Sequence, residues 1–192
     1  MGVLPRIGIR TGLAVGLATL FAIGLAAYDQ YASIQQKFDL ISSDRLRVGA
    51  HVDLSLPELN AYAARQAPPG VRNPKLQLLP HGEVTGTAMI DFGKLRRAQG
   101  ADPGWLMSKL LDGERPVSVT VRITSAGGQA RVQVEQVEIS SIDIDGKVLD
   151  FLVEDVLLPL YPNAMVDKPF RLIHHIDRLD VQPGGVAVWI GR

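Results

Sequence analysis

The chain has 192 residues, 46% hydrophobic and 21% charged, which is room for one globular domain plus an appendage. Twenty basic residues balance twenty acidic ones, and no basic stretch is interleaved with aromatics, which argues against nucleic-acid binding. With no cysteine, disulfides, thiolate metal sites, a cysteine nucleophile and a lipidated cysteine are all excluded.

Arg6 and Arg10 precede eighteen uncharged residues, 11–28, which end at Asp29. At 1.5 Å rise they span about 27 Å, close to a hydrocarbon core of about 30 Å. The positive flank places the N-terminus in the cytoplasm and exports the rest across the cytoplasmic (inner) membrane, single-pass, with Tyr28 and Tyr31 at the outer boundary. Residues 1–30 are therefore expected to be a transmembrane anchor. A cleaved signal is the alternative, because Gly24, Ala26 and Ala27 resemble a peptidase site, although Leu25 stands at one recognition position. Gly12 and Gly16 have the small-xxx-small spacing that lets membrane helices approach. Beyond residue 30 there are 18 basic and 19 acidic residues, a net of −1, so strong overall attraction to anionic lipid is not expected.

Residues 31–43 read as a helical or flexible spacer, and 44–192 as the exported domain. From Arg45 to Leu54 the apolar residues Leu46, Val48, Ala50, Val52 and Leu54 alternate with polar ones, the pattern of a half-buried strand. Ser55-Leu56-Pro57-Glu58 is a capping box opening a helix over 56–66, stopped by Pro68-Pro69-Gly70. A hairpin follows: Leu76–Leu79, the turn Pro80-His81-Gly82, and Glu83–Asp91, whose inner face holds the small Gly86 and Ala88. Residues 94–99 read as a helical turn. Trp105, Leu106, Leu110 and Leu111 read as a second short helix lying over one end of a sheet.

Val117, Val119, Val121 and Ile123 alternate along the next strand, and Gly127-Gly128 returns the chain through Ala130, Val132 and Val134. The phase then slips to Val137 and Ile139, predicting a β-bulge near Glu135 or Gln136 that curves the strand. Helical periodicity appears over 146–158, where Lys147, Asp150 and Glu154 form one polar stripe and nearly all the rest is apolar. The three carboxylates and short length make it a wrapped helix, not a second membrane span. Phe170–Ile176 and Leu179–Val181 read as strand, turned by Pro183-Gly184-Gly185 into Val186, Val188 and Ile190.

These elements predict an α+β fold: a curved antiparallel sheet of about seven strands wrapped around one long apolar helix, preceded by an N-terminal transmembrane helix.

Catalytic signatures are missing: no G-x-S-x-G, S-x-x-K or H-E-x-x-H occurs, and the glycines sit in hairpin turns. His174 and His175, adjacent in a strand, would point to opposite faces, so a metal site with His51 or Asp177 is not expected. Asp143/Asp145 and Asp177/Asp180 read as solvated or capping carboxylates, with Asp145 at the positive end of the helix dipole. Asp155, inside the apolar arc, reads as the partner of an arginine from the sheet.

Two segments also suggest a family. The helix start Leu54-x-x-x-Glu58-Leu59-Asn60 and the strand Gly82-x-Val84-x-Gly86-x-Ala88-x-x-Asp91-Phe92, with the closing hairpin VQPGGVAVWIG, resemble the exported LmeA-like and YpmS-like proteins and, more distantly, the tubular lipid-binding (TULIP-like) superfamily. The resemblance covers about 45–191. It implies a curved sheet around a long helix with acyl chains held between, and it brings no catalytic residue. On that basis the expected function is non-enzymatic: a membrane-anchored envelope protein binding a phospholipid, acyl chain or other apolar ligand between helix 146–158 and the sheet. Val84, Val119, Val121, Val132, Leu149, Phe151, Leu152 and Val156 would line the site, with no metal or cofactor. The alternative is a protein-interaction module of an envelope complex with a filled core, docking through helix 56–66 or an edge strand.

Overall fold

The computed structural model describes residues 29–98, 113–158 and 165–192. The segment 11–28, its Gly12/Gly16 spacing and the helix expected around 105–111 lie outside the described residues. Among the described residues no helix is long and apolar enough to cross a membrane.

The expected spacer is a helix, α1, over 29–42. Tyr31, Ile34, Phe38 and Ile41 recur at spacings of three and four, which puts an apolar stripe on one side. Ile34 and Ile41 are buried there against β1 (His51–Ser55) and β9 (Gly185–Ile190), through Val52, Leu54 and Val188. α1 is thus part of the core. Strand β1 is shorter than the alternation over 45–54 predicts: Gly49 takes φ +85°, Ala50 N–H donates to the Arg47 carbonyl, and Val48 is 63% exposed.

Helix α2 (Leu56–Gln66) has the predicted bounds and capping box, with Pro57 in its first turn. Glu58 does more than close the cap. Its carboxylate is 3% exposed and receives Ser55 N–H at 2.7 Å, Ser33 Oγ at 2.5 Å and Lys37 Nζ at 2.7 Å, which clamps α1 onto α2.

Among the described residues the strands form two sheets where one was expected, and they number nine where about seven were expected. The smaller is β1-β9-β8, with β8 spanning Ile176–Gln182. The larger is β2 (Val71–Leu78), β3 (Glu83–Asp91), β4 (Glu114–Ala126), β5 (Gln129–Ile139) and β6 (Ile142–Asp143), with β7 (Pro169–Arg171) also on β5. All named strand pairs are antiparallel. Two side chains knit the sheets and helices by mimicking a strand partner. Asn60 of α2 exchanges hydrogen bonds with Leu76 on the edge of β2, at 2.7 and 3.2 Å. Ser125 of β4 does the same with Leu179 of β8, at 2.8 and 3.0 Å.

The predicted bulge is present: Thr120 pairs with Gln136 and Val121 with Val134, leaving Glu135 as the extra residue. Glu135 lies on the outer side, where with Glu83 it flanks Arg122 at 2.5 and 2.6 Å, and these partners raise the guanidinium pKa further. The space left by Gly86 is taken by β2, since a Cβ there would meet Leu76 Cδ2 at 3.7 Å, ordinary contact.

After β3, helix α3 (Phe92–Ala98) buries Phe92 and Leu95. Helix α4 (Gly146–Leu152) runs on as a π-helical turn over Val153–Leu157. The predicted 146–158 is helical, but the expectation of one long wrapped helix is corrected: two α-turns lead into a π-turn, and Val148 is 55% exposed. Ile144 and Leu152 pack on Phe92, Val117 and Ile139, so the segment lies over one end of the larger sheet. Sheet closure around it fails because the C-terminal β8–β9 hairpin, hydrogen-bonded to Ser125, takes the other end.

Candidate functional site

The inner face of the larger sheet follows from the register. Val84, Gly86, Ala88 and Ile90 of β3 stand opposite Val121, Val119, Val117 and Arg115 of β4, and Val117, Val119 and Val121 stand opposite Ile139, Val137 and Val134 of β5. Opposed residues share a face, so this is a broad apolar surface. It is covered unevenly. Near Glu114 and Ile139 only Phe92, Val117 and Ile139 form a buried cluster, while Ile90, Val119 and Leu152 stay half-buried around it.

Between that face and α4 lies a cavity of about 660 Å³, within the usual range for small-molecule sites. Val117, Val119, Val134, Val137 and Ile139 form the floor, Ile90, Phe92 and Leu95 one wall, and Leu149, Leu152, Val153 and Leu157 the roof. Tyr62, Ala63, Gln66, Pro68, Val71 and Pro74, from the end of α2 and the start of β2, close the remaining side. Tyr62 and Gln66 are the polar side chains among these described lining residues and none of them is charged, so this wall suits an apolar body. The π-turn helps shape the roof by setting Val153 and Leu157 toward the cavity; such turns recur at functional sites.

Three of the eight predicted lining residues meet here: Val119, Leu149 and Leu152. Val84, Val121 and Val132 share the inner face but do not line the cavity, because β8 packs across that half of β4 and β5. The Phe151 and Val156 side chains lie outside the described residues, as does that of Asp155. Tyr62, Phe92 and Leu95 were missed, since nothing local in sequence ties α2 or α3 to helix 146–158.

The rim adjoins α1. Tyr62, which lines the cavity, stacks on Tyr31 at 6.3 Å and meets Phe38 edge-on at 5.0 Å, and Arg65 sits 6.0 Å from the Tyr31 ring. The first turns of α1, directly after 11–28, are therefore beside the cavity.

The histidines are not where the strand pattern puts them. His174 and His175 both occupy the left-handed region, φ 56° and 55°, in a turn between β7 and β8, and His174 Nδ1 lies 3.4 Å from Asp44. His51 stacks on Trp189 at 4.6 Å. Among the described residues no three His, Asp or Glu side chains group to hold a metal ion. Asp143 accepts from Gln136 at 2.7 Å, Asp177 pairs with Arg178 at 3.3 Å, and Asp180 accepts from Gln182 at 3.0 Å. Asp145 stands at the N-cap of α4 without a side-chain bond.

Comparison with protein-family models, with curated proteins and with solved structures returns no match.

Proposed function

We propose that this protein is a non-enzymatic, membrane-anchored envelope protein that takes up an acyl chain or comparable apolar ligand beneath α4. One observation carries the reading: the cavity of about 660 Å³ has apolar walls from four separate parts of the chain and no charged side chain among its described lining residues. The cavity is partly open to solvent, so its apolar walls stay wetted unless an apolar body covers them, and covering them is favourable by about 25 cal/mol per Å² of apolar surface removed from water. The resemblance to LmeA-like, YpmS-like and TULIP-like proteins supports the same ligand class. The segment 11–28 supports the anchor and export to the outer side of the cytoplasmic membrane. It leads into α1, whose Tyr31 packs on the cavity-lining Tyr62, a placement suited to a ligand drawn from that membrane.

The test uses the full chain purified in mild detergent, with organic extraction and uptake of a fluorescent fatty acid. Co-purifying lipid and saturable uptake are expected. Val119→Trp should abolish uptake while moving Tm by no more than a few degrees, since the ring enters existing space. In a close-packed core the same change would cost about 1–3 kcal/mol or more, and no lipid would be recovered; that pair of results supports the filled-core interaction module instead.

A further inference from the structure

The loop end of the molecule, remote from the cavity, carries a second surface. β4 runs thirteen residues from Glu114 at the cavity to Ala126 at this end, about 40 Å at 3.3 Å per residue. Four segments meet here through backbone hydrogen bonds. Gly49 N–H donates to the Ile190 carbonyl at 2.8 Å, Gly191 N–H to His175 at 2.7 Å, Leu172 N–H to Gly128 at 2.8 Å, and Gly128 N–H to Asp177 at 2.9 Å. They enclose a shallow cleft of about 780 Å³ bordered by Val48, Arg171, His175, Asp177 and Arg192.

Two features set this end apart. The first is charge: segments 43–50, 127–129, 171–178 and 190–192 together hold five arginines against Asp44 and Asp177, in a chain whose net charge is zero. Asp177 is taken by Arg178, and Arg45, Arg47, Arg171 and Arg192 have no carboxylate partner among the described residues. The second is apolar exposure. Val48 at 63% and Ile173 at 68% project from loops on this end. Ile173 is followed by His174 and His175, two non-glycine residues held at positive φ, a strained geometry that persists only where surroundings enforce it. Scattered arginines alone would suit any polyanion. Arginines around protruding aliphatic side chains suit a surface with anionic headgroups above an apolar layer.

We infer that this loop end docks on an anionic lipid bilayer, with Ile173 and Val48 entering the headgroup boundary and Arg45, Arg47, Arg171 and Arg192 meeting phosphates. The inference is independent of the cavity and of what it binds.

Because the chain has no cysteine, Ile173→Cys, Val48→Cys and, as a control on the distant β6, Ile142→Cys each accept one polarity-sensitive fluorophore. The labelled full chain is reconstituted into phosphatidylcholine vesicles, and vesicles of phosphatidylcholine with or without phosphatidylglycerol are then added; a parallel sample is reconstituted directly with phosphatidylglycerol present. Expected are a blue shift and loss of iodide quenching at 173 and 48 in either anionic arrangement, none at 142, and reversal by high salt. Combining Arg45→Glu, Arg47→Glu and Arg171→Glu in the labelled background should abolish the shift with an unchanged melting curve. Spectra that stay water-exposed in both anionic arrangements, or an equal shift at 142, would overturn the inference. So would the same shift with neutral vesicles, or with inorganic phosphate and no added bilayer, which would mark apolar insertion or a small-anion site respectively.

Discussion

At the scale of single residues, Glu58 shows how a local signal acquires a distant role. Burial by itself raises its pKa, but hydrogen bonds from Lys37, Ser33 and Ser55 outweigh that and lower it from 4.5 to about 2. A carboxylate whose folded value is depressed stabilises the fold above its unfolded pKa, and that stability is lost as pH falls through the folded value. Glu58 should therefore contribute on the order of 3 kcal/mol at neutral pH, draining away between about pH 4.5 and pH 2. Glu58→Gln should lose that amount at pH 7 and flatten the acid limb, measured by denaturant unfolding across pH. The capping half of this was legible, because Ser55 and Glu58 are three residues apart. Lys37 and Ser33, 21 and 25 residues away, carry no local mark of the pairing. Gly70 is a second such residue. It holds φ +96°, and an added Cβ would stand 2.8 Å from Leu95 N and 2.9 Å from the Asp91 carbonyl, both backbone. Gly70→Ala should cost roughly 2 kcal/mol or more from strain and displacement of α3, read as a lowered Tm.

At the scale of elements, pattern and outcome part where two periodicities compete or where a strand edge needs a partner. Residues 45–50 keep the alternation of a strand, yet Gly49 turns the chain and leaves Val48 in solvent. The stripe Tyr31, Ile34, Phe38 and Ile41 is helical and apolar, but its four members are diluted by glutamines and serines, so 31–43 reads as a spacer. The hairpins were legible because Gly82, Gly127-Gly128 and Gly184-Gly185 mark their turns, and the slip after Val134 marks the bulge. The edge of β2 was not, since its closure depends on an amide from another element. Asn60→Ala removes both bonds to Leu76 and one to the Leu56 carbonyl at 3.1 Å. It should destabilise the fold by about 1–3 kcal/mol and expose the strand edge, seen as lower Tm and faster aggregation on heating.

For the whole molecule, local pattern along the chain sufficed for the α+β class, the capped helix over 56–66, the hairpins, the bulge and an apolar helical segment at 146–158. Each depends on neighbours within a few residues, where periodicity and turn chemistry act directly. The tertiary structure decided the rest. It split the strands into two sheets, because β9 pairs with β1, more than a hundred residues earlier, and carries β8 on its other edge to pack across one half of the larger sheet. That packing seals Val84, Val121 and Val132 away from the cavity, and leaves Val119, Leu149 and Leu152 with Tyr62, Phe92 and Leu95 around the open half. It also separates charge that the composition averages to nothing, by drawing Arg45, Arg47, Arg171 and Arg192 to one end while the apolar cavity occupies the other. A balanced count of charges carries no direction; only the folded chain, by bringing distant loops together, turns it into a surface.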